Sequence, residues 1–210
     1  MALLKIDMLI SEVHYVSPHF RKDQLPFPLP LDVKIAIFED RVLGWQLKVA
    51  EELFFGAKAA DGSLIPHHIQ HNGFAVLYIL LSYFEMIPKY REGDLSEESG
   101  LWFKKGISQV FPEIVSHAAE TAILASMWTG ARNGLYHSAM TKRQVFVSGE
   151  ANCIDYDATK RRLILNPGVV AQRAIAHFAS YIAQLRDPSQ SVLRGNFQKK
   201  FDREILPQLT

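Results

Sequence analysis

Apolar side chains recur at helical spacing along most of the chain. Residues 35–55 place an apolar side chain on one face at every third or fourth position, which predicts an amphipathic helix with a stripe of Phe38, Val42, Trp45, Val49 and Leu53. Asp32 precedes this helix as a candidate N-cap, and Gly56 is suited to end it. Residues 74–87 are apolar nearly all round, which predicts the central, most buried helix of a bundle.

Two further long helices are predicted in the second half of the chain. Pro112 suits the first position of a helix that carries Ile114, Val115, Ala118, Ala122, Ala125 and Thr129 along one side. Asn166 and Pro167 suit the start of the last long helix, which ends at Asp187. The apolar stripe of that last helix is Val170, Ala174, Phe178, Ile182 and Leu185.

The periodicity changes between these two helices. Residues 145–147, 153–156 and 163–165 are short β-prone runs separated by turn-forming residues. The predicted fold is therefore mainly α: a four- to six-helix bundle with a small antiparallel β meander, at about 144–166, inserted before the last long helix. The bundle is predicted to span residues 32–187, after an N-terminal extension with a proline-rich connector (1–31) and before a C-terminal tail (188–210).

The composition is that of a soluble globular protein, with 48% hydrophobic and 21% charged residues among 210. The single Cys153 excludes an intramolecular disulfide, and the sequence shows neither a signal peptide nor an apolar run long enough to span a bilayer. The expected location is the cytoplasm, without membrane contact.

A formal net charge of +1 argues against a protein that coats long nucleic acids nonspecifically, because phosphate neutralisation supplies most of that affinity. Lys142 and Arg143 are candidates to bind RNA in a small groove, but a solvated surface is the favoured interpretation of these two residues. His67 and His71 are four positions apart, but no zincin-like glutamate accompanies them, so they are interpreted as loop histidines. No metal and no cofactor is predicted.

The chemistry of the chain is concentrated at residues 131–138, which contain Arg132, Asn133, Tyr136 and His137. An imidazole exchanges protons near neutral pH, and a guanidinium stays charged against a phosphate. Asn133 lies one helical turn before His137 and is placed to orient its ring. Arg132 is roughly 140° around an ideal helix from His137, so the two converge only if Gly134 bends the helix or a second copy completes the site. The second option predicts a homodimer.

Glu85 is the one carboxylate in the apolar run of the central helix. A carboxylate in such a position needs a partner, and Arg132 across the bundle or a lysine would supply one. The simpler alternative is that Glu85 reaches solvent near the helix end. Glu85 and Tyr136 are treated as auxiliary candidates for the site.

Arg-Asn followed by three residues and His, between two predicted bundle helices, resembles the motif of HEPN domains, in which an arginine, usually a polar residue, and a histidine have this spacing. The resemblance covers residues 132–137 closely and residues 32–187 loosely. It implies a helical bundle that acts, as many members of the family do, as a metal-independent ribonuclease and a symmetric dimer, in the role of a toxin or an antiviral effector. Other members are inactive binding modules.

The leading hypothesis is therefore an RNA-cleaving, HEPN-like dimer that uses the 2′-hydroxyl of RNA as its nucleophile. His137 would be the base or acid, Arg132 the phosphate clamp and Asn133 the residue that orients His137. A second hypothesis keeps the fold as an RNA- or nucleotide-binding module without catalysis. A third is purely structural: Arg132 pairs with Glu85, and His137 is a satisfied buried histidine. An antitoxin is a further candidate partner under the first hypothesis.

Overall fold

The computed structural model describes residues 15–65, 71–96, 98–142 and 144–209, and it confirms a mainly helical bundle with a small β insertion. The helices are α1 (Leu31–Val42), α2 (Lys48–Phe55), α3 (Gly73–Glu92), α4 (Ser99–Val110), α5 (Glu120–Ala125), α6 (Asn133–Ser138), α7 (Pro167–Arg186), α8 (Ser191–Glu204) and α9 (Leu206–Leu209). The strands are β1 (Tyr15–Ser17), β2 (Phe20–Arg21), β3 (Ala57–Lys58), β4 (Leu64–Ile65), β5 (Val145–Val147), β6 (Ile154–Asp157) and β7 (Arg162–Leu165).

Helix α3 is the central helix, as its apolar sequence predicts. It packs against α2, α4, α7 and α8, and its neighbours bury Leu77, Leu80, Tyr83, Phe84 and Ile87 completely. The contact with α4 is made at backbone distance, because a Cβ atom at Gly106 would lie 1.7 Å from the Phe84 carbonyl oxygen. The helix ends at Gly93, whose positive φ of 63° suits glycine.

The predicted helix 35–55 is interrupted by a π-helical turn, Leu43–Leu47, between α1 and α2. A π turn adds one residue to a turn of an α-helix, so the side chains that follow it are rotated around the helix axis. Leu47 and Ala50 are therefore buried, whereas Trp45 and Val49 of the predicted stripe are exposed. Asp32 lies within the first turn and is not the N-cap, which is Pro30; Gly56 ends α2 as predicted.

The predicted helix from Pro112 is wrong over its first part. Pro112–Ile114 is a single 3-10 turn, and α5 begins only at Glu120. The His117 imidazole Nδ1 accepts the Ala119 N–H at 3.0 Å, which removes that donor from a continuous helix. Most of the predicted stripe is consequently not buried, including Val115, Ala118, Ala125 and Thr129.

The three strands before α7 lie where the sequence predicts them, but they do not form a meander. The strand order is β5-β7-β6: β6 is antiparallel to β7, and β5 is parallel to it. The segment 148–153 therefore crosses the end of β7 to reach the far edge of the sheet. Ser148 N donates to Leu165 O at 2.9 Å at this crossing.

Asn166 holds the crossing segment and the start of α7 at the same time. Its Nδ2 donates to Gly149 O (2.9 Å) and Ala151 O (2.8 Å), and its Oδ1 accepts from Gly168 N (3.1 Å) and Val169 N (3.3 Å). The predicted N-cap is thereby confirmed, as is the buried stripe of α7. The side chain is buried and both ends of its amide are used.

The described residues on either side of the predicted bundle form more regular structure than a connector and a tail. Residues 188–210 were predicted as a C-terminal tail, yet α8 occupies most of this range and buries Phe197 and Phe201 completely in the common core. In the predicted N-terminal extension, residues 1–14 lie outside the described part. Strands β1 and β2 pack on α1, where the Asp40 carboxylate accepts from Ser17 Oγ at 2.5 Å and from His19 N at 2.8 Å.

Within the described ranges, no helix has the length and apolar content needed to cross a bilayer.

A partly buried polar contact joins α3 to α7. Tyr83 Oη and His177 Nδ1 lie 2.7 Å apart, and the Arg91 guanidinium packs on the Tyr181 ring nearby. Burial, assisted by the positive charge of Arg91, lowers the pKa of His177 from 6.5 to about 4. His177 is therefore neutral in the folded protein at neutral pH.

The Asn166 hydrogen bonds predict a graded loss of stability. Asn166→Ala removes both the cap and the two bonds to the crossing segment, and should lower the free energy of unfolding by about 3 kcal/mol. Asn166→Ser keeps a capping oxygen but does not reach Gly149 or Ala151. It should therefore be about 1 kcal/mol more stable than Asn166→Ala and less stable than the wild type. Urea unfolding of the three proteins is the measurement; equal stability of the serine and alanine variants would contradict the capping role.

The His177 pKa predicts a loss of stability in acid. Because the folded-state pKa lies below the unfolded-state value, the unfolded chain binds more protons from about pH 6.5 down to about pH 4, and stability falls as the pH is lowered through that window. His177→Gln should remove this part of the pH dependence, while His117→Gln, at an exposed histidine, should keep it. Unfolding free energies measured at several pH values would show whether the two curves differ.

Candidate functional site

The motif segment begins with a second π-helical turn, Ser126–Arg132, and continues as α6. Two glycines let residues 140–142 and 144–145 pass close to this helix. A Cβ atom would lie 2.7 Å from Met140 O at Gly134, and 2.5 Å from Val145 Cγ2 at Gly130. Lys142 N donates to Gly130 O at 3.0 Å. Gly130 and Gly134 thus allow close packing of the segment that follows the helix.

Arg132 is held on several sides. Its Nη2 lies 3.3 Å from Glu85 Oε2, and its Nη1 donates to Asn133 Oδ1 at 3.2 Å. The guanidinium carbon lies 4.8 Å from the Trp128 ring centroid and 4.6 Å from that of Tyr136. The guanidinium has more N–H groups than these two bonds use, and 19% of the side chain is exposed, so donors remain for an anion.

Glu85 is the anchor of this arrangement, as the sequence indicates. Its Oε1 accepts from Ser99 Oγ at 2.7 Å and lies 3.5 Å from Lys89 Nζ, while its Oε2 faces Arg132. Only 21% of the side chain is exposed. The carboxylate therefore has partners from α3, α4 and the motif helix, which offset the cost of its burial.

Stacked planar groups form a column above the ion pair. Trp128, Arg132 and Tyr136 follow one another at steps of four residues, and the Tyr136 ring stacks on Tyr78 of α3 with centroids 4.6 Å apart and 19° between the planes. We call these four residues the stacking column. Contacts of a guanidinium with aromatic faces restrict its rotation and add to its electrostatic hold.

His137 and Asn133 are not joined to each other. Asn133 bonds Arg132, and His137 is exposed near the end of α6, without a hydrogen bond to any other residue that the structure describes. The structural hypothesis is thus half fulfilled, because the pair of Arg132 and Glu85 exists but His137 is not buried. Lys142 is exposed beside the motif helix, and Arg143 lies outside the described residues.

Tyr136 offers a neutral hydroxyl next to Arg132. Burial raises the pKa of its phenol, and a hydrogen bond with Ser82 opposes that effect. Ser82 also accepts from Gln46 Nε2 at 2.6 Å, which ties the first π turn to the same face of α3. A phenol with a raised pKa remains a hydrogen-bond donor throughout the neutral range.

A cleft of about 290 Å³ adjoins the ion pair. Its walls include Glu85, Lys89 and Arg132 on one side, and Lys200 and Glu204 of α8 on the other. Lys200 is buried and lies 2.5 Å from Glu204. The cleft therefore combines three cations with two carboxylates, beside the apolar or aromatic side chains of Met86, Tyr90 and Tyr136.

One part of this site, the contact of Trp128 with Arg132 and Tyr136, has a signal in the sequence that the sequence analysis did not use. Trp128, Arg132 and Tyr136 are spaced by four residues, a spacing that brings side chains together on a helix. Tyr78 and Ser99 carried no such signal, because they lie on other helices and meet the motif only in the folded bundle. Over the described ranges, no three histidine, cysteine or carboxylate side chains come together as metal ligands would.

Comparisons with known protein families, curated proteins and solved structures found no match for this chain.

We expect the contribution of a salt bridge to the free energy of unfolding to depend on its burial more than on its contact distance. Glu85→Ala leaves Arg132 and Ser99 without their acceptor and should cost about 1–2 kcal/mol of stability. The matched change Glu113→Ala breaks a shorter salt bridge, in which Glu113 Oε2 lies 2.8 Å from Arg173 Nη2. The Glu113 side chain is 55% exposed and that of Arg173 is 43% exposed, so the loss should be under about 1 kcal/mol. Chemical unfolding of both variants checks the ranking, and a larger loss from Glu113→Ala would reverse it.

Proposed function

We propose that the protein is a metal-independent endoribonuclease of the HEPN type, which cleaves RNA by 2′-hydroxyl attack at a site shared by two protomers. The observation that supports this proposal most is the set of contacts made by the Arg132 side chain. Its guanidinium is held by Glu85 and by two aromatic rings, yet it has more N–H groups than its two hydrogen bonds use, and its side chain is 19% exposed. The exposed imidazole of His137 lies on α6, which directly follows Arg132.

The chemistry assigns one step to each group. His137, neutral, takes the 2′-hydroxyl proton, and the oxygen attacks the adjacent phosphorus. The bond to the 5′-oxygen breaks, that oxygen gains a proton from a second acid, and a 2′,3′-cyclic phosphate remains. Arg132 stabilises the added negative charge on the phosphate oxygens, and Tyr136 is an auxiliary whose ring packs on the Arg132 guanidinium.

A second copy of the chain supplies the second acid in this scheme. His137 lies near the exposed end of α6, followed by exposed Ser138, Ala139 and Met140. If two such ends meet across a two-fold axis, each active centre contains two histidines, one acting as base and the other as acid. Lys142, on the same segment, would contact the flanking RNA backbone. The biological role that fits such an enzyme is a toxin or antiviral effector, with an antitoxin as its partner in the first case.

A second candidate function is an RNA- or nucleotide-binding module without catalysis. The ion pair favours it, because Glu85 already neutralises part of the Arg132 charge, and because Asn133 bonds Arg132 rather than orienting His137. In that case Arg132 grips phosphate and His137 only hydrogen-bonds.

The proposal predicts cleavage of mixed cellular RNA by the purified protein in EDTA, with fragments that end in 2′,3′-cyclic phosphate. His137→Ala and Arg132→Ala should each lower the rate by about 100-fold or more, since general acid–base and phosphate-stabilising groups have effects of that order. His117→Ala changes another exposed histidine and should cleave like the wild type. End-group analysis and gel-resolved rates are the measurements.

The controls separate the two candidate functions. Activity per protomer should rise with protein concentration in step with the dimer fraction found by sedimentation. A folded, dimeric wild type that binds RNA without cleaving it would establish the binding module. Equal cleavage by the wild type and His137→Ala would place the activity elsewhere or in a contaminant.

A further inference from the structure

The stacking column has one open end, at Tyr78. The Tyr78 ring lies on Tyr136 on one side, yet 47% of the residue is exposed. Within the described part of the chain, Tyr136 is the one aromatic ring in stacking contact with it. A ring covered on one face and still half exposed presents its other face to solvent. Phe74, one turn earlier on α3, is exposed as well.

We propose, on the basis of the proposed function, that Tyr78 stacks an unpaired base of single-stranded RNA beside the phosphate bound by Arg132, and that Phe74 is the platform for the next base. A nucleobase is planar and would extend the column by one more layer. Every base has a π face, so such a subsite selects single strands over duplexes without selecting a sequence.

The platform is rigid before any ligand arrives. Tyr78 stands on the central helix, and its stacking partner Tyr136 is fixed by Arg132 on the other face and by Ser82 at its hydroxyl. Gln46 in turn holds Ser82. Stacking of a base on this column requires little further ordering of side chains, so the conformational entropy lost on binding is small.

The surroundings of Tyr78 favour nucleic acid over a second protein chain. Along the same face of α3, Ser82, Glu85 and Lys89 follow at helical spacing, and Arg132 lies beside them. Charged residues are depleted in the cores of protein–protein interfaces. An aromatic ring next to Arg132 and Lys89 instead matches the combination of stacking and phosphate contacts that single-stranded nucleic acids use.

The test uses a short, single-stranded 2′-O-methyl oligonucleotide that carries 2-aminopurine, because blocking the 2′-oxygen prevents cleavage and makes binding independent of activity. The wild type should bind the probe and quench its fluorescence. Tyr78→Leu should raise Kd about tenfold and abolish the quenching, whereas Tyr78→Phe should change Kd little. Tyr15→Leu applies the same substitution to another exposed tyrosine, outside the column, and should bind like the wild type.

An otherwise identical probe with an abasic position in place of the 2-aminopurine completes the cycle. It should bind the wild type about tenfold more weakly, and Tyr78→Leu should weaken it no further, because base and ring act as a pair. Equal Kd values for the wild type and Tyr78→Leu, or an equal loss with both probes, would overturn the proposal. So would a Tyr78→Leu protein that melts like the wild type but sediments as a monomer, since Tyr78 would then belong to a subunit interface.

The outcome is separable from that of the proposed function. Stacking without cleavage would keep the base subsite and reject the ribonuclease. Cleavage that depends on His137 with no effect of Tyr78→Leu would do the reverse.

Discussion

The packing of α3 is the constraint on which the rest of the molecule depends. Four helices surround it, and α4 approaches so closely that a side chain at Gly106 would overlap the Phe84 carbonyl. Because these neighbours cover most of its circumference, one face of α3 remains partly open to solvent, and this face carries Tyr78, Ser82 and Glu85. The candidate site is thus formed where the packing of the bundle ends, on its central helix.

The same face explains how an ion pair can coexist with ligand binding. Glu85 has two oxygens with separate partners: Ser99 and Lys89 on one, Arg132 on the other. A phosphate that draws Arg132 partly away would therefore leave the carboxylate hydrogen-bonded. The usual penalty for an orphaned buried charge is avoided, and Arg132 can exchange part of one anionic contact for another.

The sequence predicted the features that local chemistry controls. Asn166 and Pro167 start α7, and the apolar run of α3 gives the central helix. For the lone carboxylate in that run the sequence left Arg132, a lysine or solvent as alternatives, and Glu85 contacts both Arg132 and Lys89. The sequence did not predict the parallel pairing of β5, because the Asn166 bonds that hold the crossing segment exist only in the folded state. The burial of α8 was missed for a related reason: Phe197 and Phe201 give too short an apolar pattern to distinguish a core helix from a tail.

The two π turns, Leu43–Leu47 and Ser126–Arg132, border the open face of α3. A π turn is equivalent to one residue inserted into an α-helix, and each residue turns a regular helix by about 100°. Deleting a single residue within the second turn would let the helix become regular, and Arg132 would then rotate away from Glu85 and Tyr136. The geometry of the site is consequently set by chain length in these two segments as much as by side-chain identity, so insertions and deletions there change it in a way that substitutions do not.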